Sequence, residues 1–149
     1  MPIASHVLRA SALALAVLAT SSRGHASGNS ITASILNLRS DQGNVSCSLY
    51  ASEEGFPTKP EKAVARKVVR ISSKQATCVF DDVAAGSYAI SAMHDENGNG
   101  KLDENFLGMP TEGYGASRDA RGSMGPARWK DAVFSFGGGA AAMPIPLHY

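Results

Sequence analysis

The sequence predicts an all-β domain, an antiparallel sandwich of about seven short strands that carries one long ordered loop. Three observations lead there. Apolar and polar residues alternate with a period of two in most segments between turns, as strands with one buried face require. No stretch of useful length repeats its apolar residues at helical spacing. Gly, Pro, Asn and Asp punctuate the chain at short intervals, and these residues supply the turns between strands.

The elements follow in order. Residues 31–38 form the first expected strand. In residues 44–51, Val45, Cys47 and Leu49 share one face and Ser46 and Ser48 take the other. Residues 53–62 hold Gly55, Pro57 and Pro60 and read as a loop. A third strand covers 64–71, with Arg66, Lys67 and Arg70 toward water. A fourth covers 76–80, with Cys78 and Phe80 on one face. Gly86 turns the chain into a strand over 87–93, where Tyr88, Ile90 and Ala92 face one way and His94 follows in that parity. Residues 132–136 and 142–149 close the domain, and Gly137, Gly138 and Gly139 between them read as a hairpin connection. In the last strand Pro144 and Pro146 alternate with Met143, Ile145 and Leu147. Two prolines cannot both feed a central ladder, so this strand belongs at an edge with its prolines on the open side.

The first 26 residues read as an address. Arg9 precedes an apolar run over 10–20, and Gly24, His25 and Ala26 place small residues at both cleavage-determining positions. This is the layout of a secretory signal peptide cut after Ala26. The run is shorter than the ~20 residues a membrane span needs. Residues 27–149 are therefore expected to be one exported domain, periplasmic or extracellular, with no membrane span in the mature chain. Taking Arg9 and Arg23 from the 14 basic residues leaves 12 against 13 acidic ones. That balance, with no basic run, argues against nucleic acid as a partner. No polybasic or amphipathic stretch points to a membrane surface. Cys47 and Cys78, the two cysteines of an exported chain, suggest one disulfide. Both fall on faces read as inward, and the bridge would contribute about 3–4 kcal/mol in the chain-entropy description.

Residues 95–130 do not fit a minimal sandwich. They hold seven Gly and two Pro in 36 positions with little periodicity, and loops of this length are usually functional or tied down. The first nine, Asp-Glu-Asn-Gly-Asn-Gly-Lys-Leu-Asp, place oxygen-bearing side chains at positions 1, 3, 5 and 9 with Gly between. That is the front of a calcium loop. Asp95, Asn97, Asn99 and Asp103 would supply side-chain oxygens and Lys101 a backbone carbonyl, with Glu104 or Glu112 as a source of a further carboxylate. An EF-hand would need a bidentate Glu where Phe106 stands, and a helix where a strand enters, so this is not one. Two Asp and two Asn predict weak affinity, about 10⁻⁴–10⁻³ M. The competing reading is an Asx-and-Gly turn cluster that needs no metal.

His94 borders this loop, either as a transition-metal ligand or general base, or as a hydrogen-bonded histidine at a strand end. The last is favoured because metal sites built from one His are uncommon. The pairs Glu53-Glu54, Asp81-Asp82, Asp95-Glu96 and Asp103-Glu104 read as solvated turn residues, because neighbours on a strand point to opposite faces. No nucleophile-elbow or phosphate-binding Gly motif occurs. Phe106, Tyr114 and Trp129 are either a contact platform or a satellite core under the loop, and the scarcity of aliphatic residues there favours the core.

Residues 80–95 resemble the "apolar-x-x-Gly-x-Tyr" phrase of transthyretin-like and carboxypeptidase-regulatory-like sandwiches, which implies an immunoglobulin/transthyretin-like arrangement. A longer stretch, His94-Asp-Glu-Asn-Gly-Asn-Gly-Lys-Leu-Asp103 followed by Asn-Phe-Leu-Gly-Met-Pro-Thr-Glu-Gly-Tyr-Gly-Ala-Ser over 105–117, resembles exported bacterial proteins grouped as domain of unknown function 2141. Gly125-Pro126, the run Trp-Lys-Asp-Ala-Val-Phe over 129–134 and the terminal strand through Tyr149 extend the likeness to most of the mature chain. The resemblance implies a small exported β domain and no particular activity.

The expectation is an exported, non-catalytic binding or structural module with a weak calcium loop. Its contact surface would include Phe106, Glu112, Tyr114 and Trp129, facing an unidentified protein or saccharide. The alternative is a small hydrolase of saccharide or peptide using His94 with Asp95 or Glu112, and the position of His94, open or packed, discriminates the two. A small-ligand carrier with a cavity inside the sandwich is the third class, disfavoured by the size of the domain.

Overall fold

The period-two pattern resolves into eight strands: β1 (Ser30–Leu36), β2 (Asn44–Tyr50), β3 (Ala65–Arg70), β4 (Ala76–Asp81), β5 (Gly86–Asp95), β6 (Tyr114–Ala116), β7 (Phe134–Phe136) and β8 (Ala140–Pro146). This computed structural model describes residues 28–149, and the expected signal peptide lies outside the described residues. Two sheets pack face to face. One has the order β4-β1-β8, and the other the order β3-β2-β5-β6 with β7 also on β5.

Register explains the interior. In the larger sheet Val45 pairs with His94, Cys47 with Ala92 and Leu49 with Ile90, all turned inward. In the smaller sheet Ile31 pairs with Phe80 and Ala33 with Cys78. Ile31, Ile35, Phe80, Ile90 and Ile145 are almost fully buried between the layers. Burying such side chains stabilises the fold by roughly 1.5–3 kcal/mol each. The expected disulfide joins Cys47 on β2 to Cys78 on β4, Cα atoms 6.4 Å apart, and so ties one sheet to the other through the core.

The C-terminal region departs from expectation in three ways. First, β8 runs parallel to β1, where an all-antiparallel arrangement was expected. It is still an edge strand. The Leu147 N–H donates to the Leu36 carbonyl, and amide direction alternates along a strand, so Pro144 and Pro146 direct their ring nitrogens to the open side. Second, the strand ends at Pro146. His148 crosses to the other sheet and exchanges backbone hydrogen bonds with Tyr114, at 2.8 and 2.9 Å. Third, Gly137–Gly139 is not a hairpin. β7 pairs with β5 and β8 with β1, so the glycines carry the chain between sheets, and Gly138 and Gly139 take positive φ to do so.

The strand expected over 132–136 begins only at Phe134, because a single helical turn occupies Trp129–Ala132. β6 escaped the sequence pattern altogether. Three residues are too few to show a period, and the close approach of Gly115 to the Pro146 carbonyl leaves no room for a Cβ.

The long excursion is thus partly built. Ala89, Ala116, Ala120 and Ala132 form a second small core on the outer face of the larger sheet, with Phe56 and Trp129 packed against it. Tyr50, Phe56 and Trp129 meet edge to face at 5.4 and 5.9 Å. Buried Ser117 ties this core together. Its hydroxyl donates to the Ala132 carbonyl at 2.7 Å and accepts the Ile90 N–H at 3.0 Å.

Candidate functional site

Strand β5 ends at Asp95, and the loop that follows closes on that residue's carboxylate. One Asp95 oxygen accepts the N–H of Asn99 at 3.0 Å and the other the N–H of Gly100 at 2.8 Å. Asn97 accepts from the Asn99 N–H and Asn99 from the Lys101 N–H, two Asx turns in succession. Positive φ at Gly98 and Gly100 makes the turns possible. The side-chain amides of Asn97 and Asn99 both donate to the Asp103 carboxylate. The structure therefore brings Asp95, Asn97, Asn99 and Asp103 into one loop, with the Lys101 backbone between them. Two carboxylates stand in it, and among the described residues no three His, Cys, Asp or Glu side chains converge.

Glu112 approaches from the far arm of the excursion and is buried. One carboxylate oxygen accepts the Glu96 N–H at 2.8 Å and the other the Asp103 N–H at 3.0 Å. A single side chain thereby clips together both ends of the ion-type loop. Charge-assisted bonds to backbone amides are stronger than neutral ones. The clip is continued by backbone: the Thr111 N–H donates to the Asp103 carbonyl and the His94 N–H to the Gly113 carbonyl.

His94 lies on the core-facing side of β5 with no exposed surface. Its Nδ1 is 2.7 Å from the Tyr149 hydroxyl and its Nε2 is 2.7 Å from the Gln42 carbonyl. A carbonyl only accepts, so Nε2 carries a proton and donates to Gln42. Neither Asp95 nor Glu112 is a partner of the ring, because both are engaged with loop amides. Around this histidine Arg39 makes a bidentate pair with Glu96, both bonds 2.6 Å, and stacks over the Tyr149 ring at 4.4 Å. The Arg39 hydrogen bonds hold the Glu96 carboxyl below the usual carboxylate range. Burial pushes the Tyr149 hydroxyl up.

The four residues expected on a contact surface do not share one. Phe106 is fully exposed at 96 %. Glu112 is turned inward as the clip. Tyr114 is half-buried in β6, and Trp129 stacks on Phe56 in the satellite core.

A family model described as uncharacterized protein conserved in bacteria (DUF2141) matches residues 33–143. The chain belongs to the DUF2141 family. No curated protein and no solved structure matches the chain. The part matched as DUF2141 takes in both cysteines, the ion-type loop, the Glu112 clip and the satellite core. Tyr149, which caps His94 in this DUF2141 protein, lies beyond it.

Sequence reasoning missed Arg39, Gln42 and Tyr149. They stand 52 to 110 positions from the groups they contact, and no local pattern announces such a pairing. One signal was available for Glu112, a lone acidic residue between Thr111 and Gly113 in a stretch otherwise poor in charge.

Proposed function

We propose that the protein is an exported, non-catalytic binding or structural module whose excursion over residues 95–130 forms its working surface. The observation that carries this reading is His94. This histidine, which borders the Asp95–Asp103 loop, is sealed in the core and saturated by Tyr149 and Gln42, so it has no exposed nitrogen to offer a substrate. The alternative hydrolase would need that nitrogen together with Asp95 or Glu112, and both carboxylates are already filled by backbone amides. Export is supported by the buried Cys47–Cys78 bridge, since disulfides persist in oxidising compartments, and by the leader-like first 26 residues. Among the described residues no helix is long and apolar enough to cross a membrane.

Within this module the Asp95–Asp103 loop is a weak calcium site. The loop is closed in advance by Asx turns and by the Glu112 clip. An ion would have only to displace the Asn97 and Asn99 amides from the Asp103 carboxylate to gather oxygens from Asp95, Asn97, Asn99, Lys101 and Asp103. Two carboxylates give it little charge to work with, which keeps the affinity in the range of extracellular modules, about 10⁻⁴–10⁻³ M. Thermal unfolding of residues 27–149 tests this. The expected result is a rise of about 4–7 °C at 10 mM calcium for a Kd near 10⁻³ M, abolished in Asp103→Ala. No rise at that concentration removes calcium from the account and leaves the loop as a hydrogen-bonded turn cluster.

A further inference from the structure

The outer face of the larger sheet is hollow where a sandwich ordinarily meets water. Positions that would usually carry long polar side chains hold Ser46, Ser48 and Ser91 instead. Two arms of the excursion, Leu102 to Pro110 and Gly122 to Ala127, rise over this floor and enclose a groove of about 900 Å³. That volume falls in the range of small-molecule sites.

The groove has an apolar wall that is held ready. Leu107 and Met109 are 69 % and 60 % exposed and line it, and Met124 lines the other arm. Asn105 fixes the turn that presents the first two. Its side-chain oxygen accepts the N–H groups of Leu107 at 2.9 Å and Met109 at 3.1 Å. Its own N–H donates to the Met109 carbonyl, and its carbonyl accepts from Gly108. Exposed apolar side chains fixed in this way mark an interaction site rather than a chance exposure.

The charge of the groove is specific. Lys101 and Glu104 line one arm with opposite formal charges. Arg66 lines the floor edge, and its Nε donates to the Ser46 hydroxyl at 3.0 Å. That bond aims the guanidinium and leaves its terminal nitrogens without a hydrogen-bond partner among the described residues. No carboxylate pairs with it there either. A guanidinium with both terminal nitrogens open presents a fork for a carboxylate.

We propose that this groove binds a free aliphatic carboxylate of the fatty-acid class, with its head on Arg66 and its chain between Leu107, Met109 and Met124. The match is between the open fork of Arg66 and a mostly apolar, methionine-bearing trench, because flexible methionines accommodate a chain of variable shape. This inference rests on the reading of the excursion as a binding surface and names its ligand class.

Calorimetric titration of residues 27–149 with decanoate below its micellar concentration tests it, with acetate and octyl glucoside as head-only and uncharged probes. The expected result is saturable decanoate binding, with acetate and octyl glucoside each much weaker. Arg66→Gln should weaken decanoate by about tenfold or more without altering the response to octyl glucoside. Met109→Asp, on an exposed turn, should weaken both long-chain probes. Absence of saturable decanoate binding, or equal binding by Arg66→Gln, overturns the proposal. So does concentration-dependent dimerisation that Met109→Asp abolishes while decanoate has no effect, since the groove would then hold a second copy. Turnover of 4-nitrophenyl decanoate that Arg66→Gln suppresses would uphold the groove and overturn the non-catalytic reading. Failure of decanoate to bind, with no turnover, would overturn the groove alone.

Discussion

Between the two sheets Ile31, Ile35, Phe80, Ile90 and Ile145 fill the interior, and one disulfide crosses it. The excursion that leaves β5 at Asp95 buries no residue larger than alanine in its own small core, apart from the flanking Trp129 and Phe56. It is held by carboxylates instead. Asp95 and Glu112 together accept four backbone N–H groups. The contrast shows how one short chain fixes two kinds of structure. Apolar area scales with residue size and suits the layers, whereas a segment poor in aliphatic residues leans on directional bonds. Such bonds are expensive to leave unmade once buried.

The comparison makes distinct predictions for substitutions in each region. Phe80→Ala should cost the most, about 3–5 kcal/mol, and chemical denaturation should show it as global loss of stability. Replacing Cys47 and Cys78 together by Ala should cost about 2–5 kcal/mol, again globally. Glu112→Ala should cost about 1–3 kcal/mol, since two amides lose their acceptor. Its signature should be local, with faster amide exchange confined to the excursion while β1, β2 and β4 stay protected. If Glu112→Ala loosened the sheets equally, the excursion would be part of the main core and the distinction would fail.

The smallest effect concerns pH. Arg39 lowers the folded-state pKa of Glu96. The pair therefore adds stability above the unfolded carboxyl value of about 4.3. That contribution is lost as pH falls through the lower folded value. Arg39→Gln should lower the melting temperature slightly at neutral pH, where the pair's contribution is fully present, and leave it unchanged once Glu96 is protonated, so that the decline into acid is shallower. The effect is small, as expected of a half-exposed ion pair.

Most of the sandwich was legible because a period of two is a local signal. The faces assigned to Val45, Cys47 and Leu49, to Cys78 and Phe80, and to Tyr88 through His94 are the faces observed. The edge position of β8 followed from Pro144 and Pro146. Its parallel pairing with β1 did not, because no turn links the two strands and their partnership is decided by packing across the whole chain. For the same reason Gly137–Gly139 misled: a glycine run between two strands looks alike whether it turns back in one sheet or crosses to another. In the loop, the hydrogen-bonded grouping of Asp95, Asn97, Asn99 and Asp103 was legible from spacing. The role of Glu112 was not, since its partners are backbone amides and leave no trace in side-chain pattern. The groove went unseen because it is made by small serines, which read simply as the polar face of β2.

The central claim is that carboxylates from Asp95 and Glu112 order the first part of the excursion, ahead of the small alanine core that holds its second part. Amide hydrogen exchange of the N–H groups of Glu96, Asn99, Gly100 and Asp103, measured with divalent cations chelated, tests it most directly. The account predicts protection of all four, with Glu112→Ala releasing Glu96 and Asp103 first. Exchange of these four amides at the rate of an unstructured chain would contradict it.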